Sequence, residues 1–113
     1  LTTSHTASAS EALVNGLIPY MGKENVVLIG ERTEGKNVAM KAFRNDTHGI
    51  TLWPVVAYVS NAENVGDYSD GFEPTHELIE RNIIEWYPLG DTREYLLKNA
   101  INLITTGSIA DNS

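Results

Sequence analysis

Val26-Val27-Leu28-Ile29-Gly30 decides the fold class. It is a continuous apolar run with no polar alternation, bounded by turn residues, the pattern of a strand covered on both faces. Such a strand needs a layer on each side, and the segment before it supplies one. Ala12, Leu13, Leu17 and Ile18 repeat at helical spacing, which predicts a helix from about residue 8 to residue 17 or 18. Pro19 lacks an N–H and biases Ile18 away from helical geometry, so the helix is expected to end there, with residues 20–25 as a turn. A helix feeding a doubly covered strand predicts an α/β layer arrangement.

Downstream, residues 31–35 form a polar loop. Residues 36–43 and 50–59 look like two strands joined by Arg44-Asn45-Asp46-Thr47-His48-Gly49, a hairpin. Pro54 inside the second marks an edge or a bulge. Residues 60–74 make a long loop with little periodicity, and residues 75–84 fit either a short strand or a helical turn. Asp91 is the expected N-cap of a last helix, with Glu94 completing a capping box. Tyr95, Leu96, Ala100, Ile101, Leu103 and Ile104 form its stripe and Gly107 its C-terminal stop. One unit over residues 1–107 and a frayed polar tail over 108–113 are expected, with no repeats.

Composition removes several functions. The chain has 113 residues, 8 Lys plus Arg against 15 Asp plus Glu, and net charge −7. That balance argues against a nucleic-acid surface, which needs clustered Lys and Arg to displace counterions, and against an anionic membrane. Without cysteine there is no disulfide framework, thiolate metal site or cysteine nucleophile. No apolar run approaches the ~20 residues that span a bilayer. Leu1-Thr2-Thr3 reads as the end of a strand, so the chain is expected to be a fragment whose N-terminal part is missing.

Two stretches carry chemistry. In Thr6-Ala7-Ser8-Ala9-Ser10-Glu11 the small residues let the backbone turn tightly and leave a hydroxyl at a helix start. Unpaired N–H groups and the positive end of the helix dipole would stabilise an alkoxide or oxyanion there. Ser8-x-x-Glu11 fits a capping box equally well, and on spacing that is the commoner use. The second stretch, Gly30-Glu31-Arg32-Thr33-Glu34-Gly35-Lys36-Asn37, matches a phosphate-cradling loop up to its last position. Asn37 stands there in place of the magnesium-binding Ser or Thr, two glutamates would face the phosphates, and a strand follows where a helix should. Lys36 has a better use: beside apolar residues, burial would favour its neutral amine, a base for a serine. His5, His48 and His76 have no metal-ligand spacing, and residues 67–71 resemble half a calcium loop without its bidentate Glu. No metal and no cofactor are expected.

Together, residues 1–11 (LTTSHTASASE) and 26–36 (VVLIGERTEGK) resemble the C-terminal processing, or tail-specific, serine peptidase family. The intervening segment is a few residues longer here, the surplus falling in the 20–25 turn. Residues 70–75 and Leu89-Gly90-Asp91 extend the likeness weakly, with Thr75 where the family has an aspartate. The resemblance implies Ser8 as nucleophile, Lys36 as general base and the Ala9 amide as one oxyanion donor. A second donor, a glycine amide, would lie before Leu1. Many members orient the lysine with a glutamine four residues on, where this chain has Met40.

The family fold implies a layered ClpP/crotonase-like core, helices packed on a mixed sheet including a hairpin, of which this chain would be the C-terminal part. Implied too are cleavage of polypeptides near their C-termini and a bacterial cell-envelope or periplasmic location. The missing N-terminal part would be a partner, and a homo-oligomer is compatible with it. The isolated piece is expected to be inactive and to expose apolar surface. The competing expectation is a peptidase-like module that binds C-terminal peptides without cutting them.

Overall fold

The computed structural model describes residues 1–110. Helix α1 spans Ala9–Met21 and α2 spans Tyr95–Thr106. Between them lie β1 (Ile29–Gly30), β2 (Val38–Met40), β3 (Phe43–Asn45), β4 (Ile50–Leu52), β5 (Val55–Tyr58) and β6 (His76–Glu77). Single 3-10 turns occupy Lys23–Asn25 and Glu80–Asn82. The class is mixed α and β, but there is no single mixed sheet: the strands pair as β1–β6, β2–β5 and β3–β4. The expected helix-on-sheet layering is therefore not assembled by the described residues.

The expected buried strand contracts to its end. Leu28, Ile29 and Gly30 are buried, whereas Val27 is exposed. β1 runs parallel to β6 on one side, and Thr2 bridges parallel to Gly30 on the other. Backbone bonds Thr2 N–H to Ile29 O (2.9 Å) and Glu31 N–H to Thr2 O (3.0 Å) fasten the start of the chain along this edge. A side chain at Gly30 would collide with the Thr2 carbonyl, so only glycine allows the approach.

α1 departs from expectation twice. It continues through Pro19 to Met21 and stops at Gly22, φ 84°. Proline removes the bond that Asn15 O would have accepted. The Asn61 amide supplies a replacement donor at 3.2 Å, and the Asn15 amide in turn donates to Val65 O at 2.7 Å. The inward face is also polar: Glu11 and Asn15, one turn apart, are buried, while Leu13 is 63% exposed. Of the apolar stripe read from the sequence, Leu13 and Leu17 face out while Ala12 and Ile18 are half-buried.

The two expected strands form one long hairpin with a break. β2–β5 and β3–β4 are both antiparallel; the register shifts between Ala39 and Met40, opposite the extra residue Val56, and Trp53-Pro54 separate β4 from β5. Every residue from 40 to 58 is exposed. Residues 75–84 prove to be both short strand and 3-10 turn. α2 is capped by Glu94, which accepts from Leu96 and Leu97 N–H, while Asp91 instead accepts from Arg93. Gly107 closes it in the left-handed region as expected. Of its stripe only Leu96 is fully buried, and Ile104 is exposed. Residues 111–113 of the expected tail lie outside the described residues. The radius of gyration, 17.6 Å, exceeds the ~13 Å of a compact chain this long.

Candidate active site

Glu11 is the centre of the site. It is fully buried at 0% exposure, and its carboxylate is saturated by four donors from two separate stretches. Oε1 accepts the Thr33 hydroxyl and the Gly35 N–H, both at 2.6 Å. Oε2 accepts the Ser8 N–H at 2.9 Å and the Lys36 N–H at 2.8 Å. A charge taken wholly out of water needs such pairing to survive burial. Burial, the largest single influence, pushes the carboxyl pKa up. The bonds from Thr33, Gly35, Lys36 and Ser8 outweigh it together, holding the group below its ordinary value.

One oxygen thus joins the serine stretch to the lysine stretch. The two amide nitrogens can lie no farther apart than those two bonds laid end to end. A parallel link, Glu34 N–H to Thr6 O at 2.9 Å, reinforces the junction. Ser8 and Lys36 are both half-buried. Met40 lies exposed in β2, where the register shifts.

Ser8 is the N-cap of α1, as spacing suggested, and Glu11 returns the capping-box bond to its N–H. The Ser8 hydroxyl makes no cap hydrogen bond of full geometry. Its backbone sits at φ 53°, ψ −109°, a region that normally demands glycine and costs about 1–3 kcal/mol for another residue. Asn64 is the other non-glycine with positive φ among the described residues, and asparagine tolerates that. Strain on a serine at a helix entry matches the way a nucleophilic hydroxyl is presented on a sharp turn. Ala9 opens α1, so its N–H has no intrahelical acceptor.

The lysine loop is braced from the far side. Thr33 hydroxyl accepts from Phe72 N–H at 2.7 Å while donating to Glu11, and Thr33 N–H reaches Phe72 O at 3.1 Å. Gly35 (φ 95°) and Gly71 (φ 80°) let the two segments pass backbone to backbone, because a Cβ on Gly35 would strike the Ser69 carbonyl and one on Gly71 the Thr33 carbonyl. Tyr68, stacked on Phe72 at 4.9 Å, is buried with its hydroxyl unpartnered. Burial first, and the Glu11 charge second, push its pKa up.

This geometry disposes of the phosphate-loop reading. Gly35 and Lys36 lead into β2, not a helix, and their N–H groups already hold a carboxylate. Among the described residues, no three His, Cys, Asp or Glu side chains gather as metal ligands, and no helix is long and apolar enough to cross a membrane. What the sequence reading missed is the reach of Glu11, taken there only as a cap.

No family model and no curated protein matches the chain. Among solved structures it is similar to a putative S41 protease from Bacteroides fragilis NCTC 9343, at 43% identity and a TM-score of 0.77. The match covers 86% of this chain and 24% of that one, so the chain spans about a quarter of the length of its neighbour. Identity at that level over most of the chain, together with shared shape, makes this chain a relative of the S41, or C-terminal processing, peptidases.

Proposed function

We propose that this chain carries the Ser–Lys machinery of a serine peptidase that cuts polypeptides near their C-termini. Ser8 Oγ attacks the substrate carbonyl, and neutral Lys36 takes its proton. The Ala9 amide at the entry of α1 stabilises the oxyanion, whose collapse breaks the C–N bond as Lys36 returns the proton to the departing amine. A water that gives its proton to Lys36 then hydrolyses the acyl ester and frees Ser8. The observation that carries the reading is the shared Glu11 oxygen, which holds the Ser8 and Lys36 backbones in one junction. The glycine-like backbone of Ser8 adds to it, since strain of this kind gathers at active sites. By the same resemblance, the parent enzyme works in a bacterial cell envelope, and residues 1–107 act as one part of a larger catalytic domain.

The test is peptide hydrolysis by a form of the protein as long as its structural neighbour. Ser8→Ala and Lys36→Ala should each remove turnover, and the 113-residue chain alone should have none. Intact hydrolysis in Lys36→Ala sinks the proposal. Met40 favours a second reading: an apolar side chain cannot orient the lysine by a hydrogen bond, and here it is exposed. In that case the module binds C-terminal peptides without cutting them, and the wild-type protein would show peptide binding but no turnover.

A further inference from the structure

The long hairpin and the acidic body have complementary surfaces on one chain. Phe43 stands opposite Leu52 and Asn45 opposite Ile50, so Phe43, Ile50 and Leu52 share one apolar face of β3–β4. All three are at least half exposed. Lys41 Nζ rides 5.7 Å from the centre of the Phe43 ring, placing a cation at the margin of that face. Within the hairpin itself, residues 38–58, Lys41 and Arg44 stand against a single acid, Asp46. The hairpin is thus the basic element of an acidic molecule.

On the body, a groove of about 600 Å³ is lined by Leu78, Ile79, Ile83 and Tyr95, with Glu77 and Glu85 among its walls. Its lining is mostly apolar with two acids, in chemistry the counterpart of an apolar hairpin face with a lysine beside it. A two-stranded hairpin exposed on both sides is marginal in water, so it gains most from being covered.

We propose that the hairpin of one copy seats its Phe43–Leu52 face in the 77–85 groove of a second copy, which returns the contact. Two copies each offering one hairpin and one groove would close a two-fold dimer. At net charge −7 two copies repel in most orientations, and this one brings the basic element of each against acids of the other. Lys41 then faces Glu77 and Glu85 across the interface.

The experiment is analytical ultracentrifugation of the 113-residue chain over a concentration series, at low and high salt. A monomer–dimer equilibrium that weakens with salt is expected. Lys41→Glu and Glu77→Lys should each weaken it about tenfold, and the double reversal should recover most of the loss. Leu52→Asp, on an exposed side chain, should leave the circular dichroism spectrum unchanged and abolish the dimer. A monomer at every concentration overturns the proposal and leaves the face to another part of a longer protein. So does a dimer indifferent to Leu52→Asp, a double reversal that recovers nothing, or open-ended growth without a dimer plateau.

Discussion

The junction around Glu11 and the hairpin of residues 38–58 are built on opposite principles. The junction buries polar groups and satisfies nearly all of them: one carboxylate takes four donors from residues 8, 33, 35 and 36. The hairpin satisfies its backbone and leaves its apolar side chains in solvent, with Leu52 at 64% and Trp53 at 60% exposure. Buried apolar side chains are few, with Leu28, Ile29, Tyr68 and Leu96 forming the described core. In this chain, position is therefore set by hydrogen bonds, and the apolar area is held for something that covers it. The strained serine lies on the hydrogen-bonded side, where the surroundings over-determine its geometry.

The comparison breaks most sharply at Glu11. Glu11→Gln replaces one acceptor oxygen with a carboxamide NH2 that faces one or two N–H donors, and leaving those unsatisfied should cost about 3 kcal/mol or more in denaturant unfolding. The same carboxyl sets the response to acid. Its folded pKa is depressed, so its stabilisation is complete above the unfolded value and is lost as pH falls through the folded one. Stability should therefore decline below about pH 4.3, the ordinary glutamate value, and Glu11→Gln should flatten that decline. Thr33→Val removes one donor to Glu11 and the acceptor for Phe72 N–H, an expected loss of about 2 kcal/mol in the same assay.

Smaller effects sharpen the contrast. Tyr68→Phe removes a buried hydroxyl with no partner, so stability should hold or rise by up to about 1 kcal/mol. On the hairpin, Trp53→Ser should shift the unfolding midpoint by no more than about 0.5 kcal/mol, because the ring is already in water. A large loss there would mean the hairpin face is covered within one copy, and the two regions would no longer differ.

Local features were legible in the sequence because their partners lie close by. Ser8 and Glu11 are three residues apart, Gly107 follows its helix directly, and Pro54 marks the break in the hairpin it sits in. The second role of Glu11 was not legible, because its other partners lie 22 to 25 residues away and a capping box already explained it. Pro19 was read as a stop because a proline's missing bond is a local fact, whereas the Asn61 amide that compensates comes from 46 residues away. Asp91 fits an N-cap by type and Glu94 was expected only to complete its box, yet Glu94 itself caps the helix through its side chain. The outward placement of Leu13 and Leu17 on α1 was unreadable for a related reason. Periodicity identifies a stripe, and burial of polar Glu11 and Asn15 turned those two leucines outward.

The most direct test of the account is labelling by a serine-reactive fluorophosphonate, located by peptide mass mapping, in a form of the protein as long as its structural neighbour. The account predicts label on Ser8 and loss of that label in Lys36→Ala. Label absent from Ser8, or undiminished without Lys36, would leave Ser8 as a helix cap held by Glu11 and would contradict the assignment of a Ser–Lys peptidase.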